Sequence, residues 1–195
     1  VTDSARNAFN DVMCGTENTA VLYCRIVDVG GCSWEGASRF VRFIGNYVRN
    51  SGTVAMGNIR SRAEHLEQLG SAQHIVADNV FEGRTFYNGR PGGYIVRATS
   101  GATQVIVRNN IFVNYNSSAV EIVPGGYDRS LPTSNCSILG NIMDMTAVGE
   151  ESRARTAIHV GSSDVTVADN QVYVRGDADP TVFAFVYRFI APGGK

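Results

Sequence analysis

The sequence predicts an all-β protein built as a solenoid of parallel strands. Three observations carry that prediction. Val, Ile, Thr and aromatic residues fill short runs between Gly, Asn and Ser, with 21 Gly but only 5 Pro in 195 residues. That is the composition of many strands and many turns. An Asn recurs at Asn46, Asn79, Asn110, Asn141 and Asn170, at spacings of 33, 31, 31 and 29 residues. Apolar residues stand at fixed offsets from each of these asparagines. Five before them are Val41, His74, Val105, Cys136 and Val165; three before are Phe43, Val76, Val107, Ile138 and Val167; two after are Val48, Phe81, Phe112, Met143 and Val172. Only His74 breaks the apolar pattern.

The elements follow in chain order. Ser4–Met13 reads as a short helix within a cap formed by residues 1–19. "AVLYCRIVDV" is a shorter first copy of the repeat, with Arg25 in the Asn place. The unit around Asn46 follows, then a second short helix at Arg60–Leu69, then the four units around Asn79, Asn110, Asn141 and Asn170. In each unit the −5 and −3 residues lie two apart, so both face the core, while Arg42, Ile75, Ile106, Ser137 and Thr166 at −4 face outward. The phase changes after the Asn, which implies a bend. Asn tolerates left-handed backbone angles and can bond nearby backbone there, and stacked amides can bond one another as a ladder. A further β-run follows each bend, at Val54–Met56, Tyr94–Ala98, Ala119–Val123, Ala157–Val160 and Val182–Val186. One such unit cannot bury its own apolar face, but stacked units can. An antiparallel sandwich would space its strands about 8–12 residues apart and gives no reason for the Asn recurrence.

His74 is expected to point inward as a neutral imidazole bonded to backbone. A one-residue slip would instead turn it outward, as a candidate base.

The units "VTVADNQVYV" (Val165–Val174), "VIVRNNIFV" (Val105–Val113) and "CSILGNIMDMT" (Cys136–Thr146) resemble coils of right-handed parallel β-helix proteins of the pectate-lyase-like superfamily. The resemblance covers roughly residues 20–190 and implies a single domain over 1–195, with about five to seven coils. "NQVYVRGDADPTV" is similar to tailspike-like sequences. The superfamily includes polysaccharide lyases, glycoside hydrolases, uronan epimerases and phage tailspikes. The expected partner is therefore a polysaccharide, and the expected location is extracellular or on a virion.

Composition narrows the partners. Net charge is −1, so no basic field points to nucleic acid, and no apolar run reaches the roughly 18 residues that a membrane span needs. The chain begins at Val1 and ends on the apolar "VYRFIAPGGK", so it is expected to be part of a longer or trimmed protein, or to associate with copies of itself. Of the cysteines Cys14, Cys24, Cys32 and Cys136, none forms a CxxC pair. A zinc site is disfavoured; a disulfide among the first three, or plain buried thiols, are the two readings. Asn116-Ser117-Ser118 and Asn135-Cys136-Ser137 match the glycosylation pattern, which also occurs by chance.

The candidate site comes from aligning the later β-runs. Val96-Arg97-Ala98, Val120-Glu121-Ile122 and Ile158-His159-Val160 each set a polar residue between two inward ones. The outward row reads Arg97, Glu121, His159, with Ala55 before it and Phe185 after. Long loops at Gly83–Gly93, Pro124–Ser134 and Thr146–Arg155 could wall a groove beside it. They supply Tyr87, Arg90, Tyr127 and Arg129 as substrate-binding candidates, with Glu150 and Glu151 nearby.

Two mechanisms suit this set. In a uronate lyase, Arg97 neutralises the sugar carboxylate, His159 removes the C5 proton, and a Tyr or His protonates the leaving oxygen. In a hydrolase, Glu121 works with a second carboxylate such as Asp128. The competing reading is a ladder of exposed charges worth about 0.2–1 kcal/mol per pair, on a non-catalytic spike or adhesin. Many lyases of the resembled superfamily use calcium, but the sequence offers no dense Asp cluster, and no cofactor or metal site is assigned. Glu64, His65 and Glu67 in "RAEHLEQLG" do not form HExxH and suit a solvated helix face or a groove wall. Trp34, beside Glu35, packs or stacks on sugar.

Overall fold

The computed structural model describes residues 10–11, 17–29, 33–36, 39–52, 54–56, 72–83, 86–87, 90–91, 94–99, 101–115, 118–124, 133–144, 156–173 and 183–187. Within them the chain is all-β and contains no helix. Three sheets are built from short parallel strands. Sheet S1 stacks Asn10–Asp11, Trp34–Gly36, Val54–Met56, Tyr94–Ala98, Ser118–Ile122, Thr156–Val160 and Phe183–Tyr187. Sheet S2 stacks Ala20–Leu22, Arg42–Ile44, Ala72–Ala77, Thr103–Arg108, Cys136–Leu139 and Val165–Ala168. Sheet S3 stacks Arg25–Val27, Tyr47–Arg49, Val80–Glu82, Ile111–Val113, Ile142–Asp144 and Gln171–Tyr173. From Ala20 onward the chain visits S2, S3 and S1 in that order, again and again. Each unit therefore holds three strands, an arrangement compatible with a solenoid.

The cross-strand register follows the repeat. His74 pairs with Val105 and Cys136 with Val165 in S2, while Phe81, Phe112 and Met143 are neighbours in S3. Inward residues of all three sheets form one core. Phe43, Phe81 and Phe112 stack along it, with centroids 6.3 and 5.0 Å apart, and Tyr115 meets the edge of Phe112. Each aromatic contact is worth about 0.5–1.5 kcal/mol beyond the area it buries.

The repeat asparagines sit where S2 strands turn into S3 strands, and their side chains point inward. The Nδ2 of Asn46, Asn79, Asn110 and Asn141 each donates to the Oδ1 of the next asparagine, at 2.8–3.0 Å. Each also donates to a carbonyl of the preceding turn, at Val21, Phe43, Val76 and Val107. Asn46, Asn79, Asn110 and Asn141 are 0–2% exposed, and these bonds are what makes their burial tolerable.

Left-handed backbone does not fall on these asparagines, as the sequence suggested, but on the residue before each. Gly45, Asp78, Asn109, Gly140 and Asp169 have φ of 53–68°, and Tyr23, before Cys24 in the first copy, has φ of 54°. The bend needs one left-handed residue, and that residue directs its N–H along the stack, as Asn109 N does to Leu139 O. At Gly140 a Cβ would lie 2.9 Å from Asn109 Oδ1, so the glycine both takes the angle and leaves room for the neighbouring amide.

Three further expectations change. Asn10–Asp11 is a strand pairing with Glu35–Gly36, not helix; the rest of Ser4–Met13 and all of Arg60–Leu69 lie outside the described residues. In the first copy the Asn place belongs to Cys24 rather than Arg25. Arg25 pairs with Tyr47, and the Cys24 N–H donates to Asn46 Oδ1 at 2.8 Å. Cys24 and Cys136 are free thiols, whereas Cys14 and Cys32 lie outside the described residues.

His74 is fully buried, and desolvation lowers its pKa from the ordinary 6.5 to about 4. The unfolded chain then binds a proton that the folded chain refuses. Stability is therefore full above about pH 6.5 and falls as pH drops toward 4, by about 3 kcal/mol in all. The variant His74→Val, matching Val41, Val105 and Val165, should flatten this loss in urea unfolding compared at pH 7.5 and pH 4.5. Parallel losses in both proteins would exonerate the imidazole.

Candidate functional site

Strands Tyr94–Ala98, Ser118–Ile122 and Thr156–Val160 of S1 build the site. Val96, Ala98, Val120, Ile122, Ile158 and Val160 are 0–2% exposed, so alternation turns Arg97, Glu121 and His159 to the other side. They are direct neighbours across the parallel register. Ala55 precedes Arg97, with Glu35 beyond it. Val186, not Phe185, follows His159; Phe185 pairs with Ile158 and so has the opposite parity.

The three side chains converge on one buried carboxylate. Arg97 Nε lies 2.7 Å from Glu121 Oε2, and His159 Nδ1 lies 3.2 Å from Glu121 Oε1. The Arg97 N–H is not aligned on the oxygen, so that contact is ionic rather than a directed hydrogen bond. Side-chain exposure is 4% for Glu121, 31% for Arg97 and 23% for His159. The carboxylate is thus the hidden centre, while the cation and the imidazole reach the surface. An ionised carboxylate only accepts, so a neutral imidazole in this contact would donate from Nδ1 to Glu121 and present Nε2 as an acceptor.

Sequence reasoning missed Tyr94. Alternation assigns it to the inner side, yet its phenol is hydrogen-bonded to Glu121 and the Arg97 guanidinium sits 5.2 Å from its ring centroid. Burial, then the charge and hydrogen bond of Glu121, push its pKa up to about 12, so it stays protonated at neutral pH. The only signal for it was an aromatic three residues before Arg97 in a single short strand.

The remaining candidates are not brought to this cluster. Tyr87 and Arg90 pair with each other across the antiparallel strands Phe86–Tyr87 and Arg90–Pro91, and their side chains lie outside the description. Tyr127, Asp128, Arg129, Glu150, Glu151, Glu64, His65 and Glu67 lie outside the described residues. Trp34 and Glu35 are described as backbone strand alone. No group of three or more His, Cys, Asp or Glu able to hold a metal occurs among the described residues. Burial pushes the Cys136 thiol up to about 11, which makes it a poor nucleophile.

Beside the charged row runs an apolar one. Ile95, Ala119 and Ala157 share the outward parity, yet are only 0–5% exposed. This stretch of the outer face is shielded from solvent, and the titratable row lies at its margin.

Fold and site together define a class: an all-β chain of stacked parallel sheets with a Tyr–Arg–Glu–His cluster on one outer face. Compared with protein-family models, with curated proteins and with solved structures, the chain matches none. Among the described residues, no helix is long and apolar enough to cross a membrane.

Proposed function

We propose that the chain is a right-handed parallel β-helix domain of about six coils that binds and cleaves an acidic extracellular polysaccharide by β-elimination. The observation that supports this reading best is the shared carboxylate: Glu121 holds His159 at 3.2 Å and Arg97 at 2.7 Å while buried itself. That division of labour suits a lyase better than a hydrolase. A hydrolase needs Glu121 free to protonate a leaving oxygen, and here both of its oxygens are engaged.

In the proposed reaction the exposed part of Arg97 binds the uronate carboxylate and stabilises negative charge as it develops. His159 Nε2 takes the C5 proton, the C4–O bond breaks, and a C4–C5 double bond forms. Tyr94 supplies the proton to the leaving oxygen and regains one from solvent, to which His159 releases the proton it took from C5. Glu121 is a positioning residue, fixing the imidazole tautomer.

The test is the ultraviolet absorbance of unsaturated products from polygalacturonate or alginate. Wild type should generate it, and His159→Ala should reduce the rate by about two to four orders of magnitude while circular dichroism shows the chain still folded. Reducing ends without the chromophore would point to hydrolysis by another carboxylate such as Asp128.

The second reading is a non-catalytic, self-associating spike or adhesin, on a virion or cell surface. It is favoured by the shielded row Ile95, Ala119 and Ala157, which leaves less open face than a broad groove needs. Absence of product from a wide panel of glycans would leave this reading standing.

A further inference from the structure

A different face carries a second feature. On the outer side of S2, an open cleft of about 540 Å³ is floored by Ile75 and Ile106 and edged by Phe40, Arg42, Gln73 and Gln104. Arg42, Ile75 and Ile106 are consecutive neighbours across the strands. Phe40, Gln73 and Gln104 form a second line alongside, each in left-handed backbone with φ of 55–61°. Stacking fixes those corners: Phe40 N donates to Ala72 O, and Gln104 N to Ser134 O. Both lines continue into a second depression of about 400 Å³, through Ser137 and Thr166 on one side and Asn135 and Asp164 on the other.

We propose that this trough is a second, non-catalytic saccharide site that holds an extended acidic polysaccharide away from the Arg97–Glu121–His159 cluster. Its elongated form suits a polymer. Corner side chains recur every ~4.8 Å along the stack, close to the length of one pyranose unit. Gln73, Gln104 and Asn135 each offer both donors and an acceptor, as sugar hydroxyls require. The isoleucine floor and the 40%-exposed Phe40 suit the C–H faces of the rings. Charge selects the sugar class: the described lining of the larger cleft contains the Arg42 guanidinium and no carboxylate. The uronate carboxylate is bound at that end, away from Asp164.

This proposal rests on the polysaccharide reading above for its ligand class, but not on catalysis. The experiment is affinity electrophoresis of the full chain in gels containing polygalacturonate or dextran, with circular dichroism to verify folding. Wild type should be retarded by polygalacturonate and much less by dextran. Gln73→Ala combined with Gln104→Ala should weaken that retardation about tenfold, and Arg42→Gln should remove the preference for the acidic polymer. Equal retardation of variants and wild type, or no retardation of wild type, overturns the site. So does light scattering that shows a dimer dispersed by Ile75→Asp, because the face would then join copies of the chain. Trough-dependent binding without unsaturated product keeps the trough and removes the lyase reading; product with trough-independent binding does the reverse.

Discussion

Asn110→Ala should lower the unfolding free energy by about 3–6 kcal/mol, enough to unfold much of the population of a marginally stable chain. Asn110 Oδ1 accepts from Asn79 N at 3.1 Å and from Asn79 Nδ2 at 2.8 Å. Its Nδ2 donates to Val76 O and to Asn141 Oδ1, both at 3.0 Å. Alanine cannot replace any of these bonds, and the stranded partners are too buried to turn to water. Each unsatisfied group costs about 1–3 kcal/mol, which sets the range. Asn110→Asp should rescue little, because it keeps the acceptor but loses both donors and brings a charge into the core. Asn170 is only half-buried and last in the series, so Asn170→Ala should cost about 1–2 kcal/mol. Urea unfolding of the three variants checks this order. A loss at Asn110 of under about 1 kcal/mol would mean the amides are not what holds these turns.

Arg97→Leu should cost more than Glu121→Gln, although both break the same contact. Losing Arg97 leaves a carboxylate of 4% exposure with His159 and Tyr94 as its remaining partners among the described residues, and an undercompensated buried charge costs about 3–5 kcal/mol. Losing the charge of Glu121 leaves Arg97, which is 31% exposed and can turn to solvent, so the cost there should be about 1–3 kcal/mol. A double-mutant cycle in urea measures the asymmetry. Product formation should fall in both variants, by about two to four orders of magnitude in Glu121→Gln, where the imidazole loses its fixed tautomer. Equal stability losses would show that the cluster is solvated like an ordinary surface pair.

Parts of the architecture were legible from local rules. Alternation with period two marks Val105 and Val107 as inward and Ile106 as outward, whatever the strand packs against. A repeat of about 31 residues, with phase breaks at Asn79 and Asn110, demands stacked units, because one unit cannot bury Phe81 or Phe112 alone. The Arg97–Glu121–His159 row was readable for the same reason: apolar flanks fix the parity of the residue between them.

What was not legible depends on depth and on cross-strand distance. Sequence offered Glu121 as an exposed charge or a free acid, but the sheet hides it and turns it into an anchor. Tyr94 joins the cluster against its parity. Arg25 gave way to Cys24 because the first copy is shorter and its match was weak, so only strand pairing with Tyr47 could fix the register. The left-handed residues at Phe40, Gln73 and Gln104 are not Gly, Asn or Asp, the types that favour that conformation, so composition could not mark them as one line.

The sequence by itself determined that the chain is a stack of parallel β units with His74 in the core, because periodicity and burial act within a single strand. Only the tertiary structure decided which outward side chains share an environment. Contacts such as Glu121 with His159, or Ile75 with Ile106, join residues 31–38 positions apart across turns of unequal length, and no local propensity encodes how those turns close.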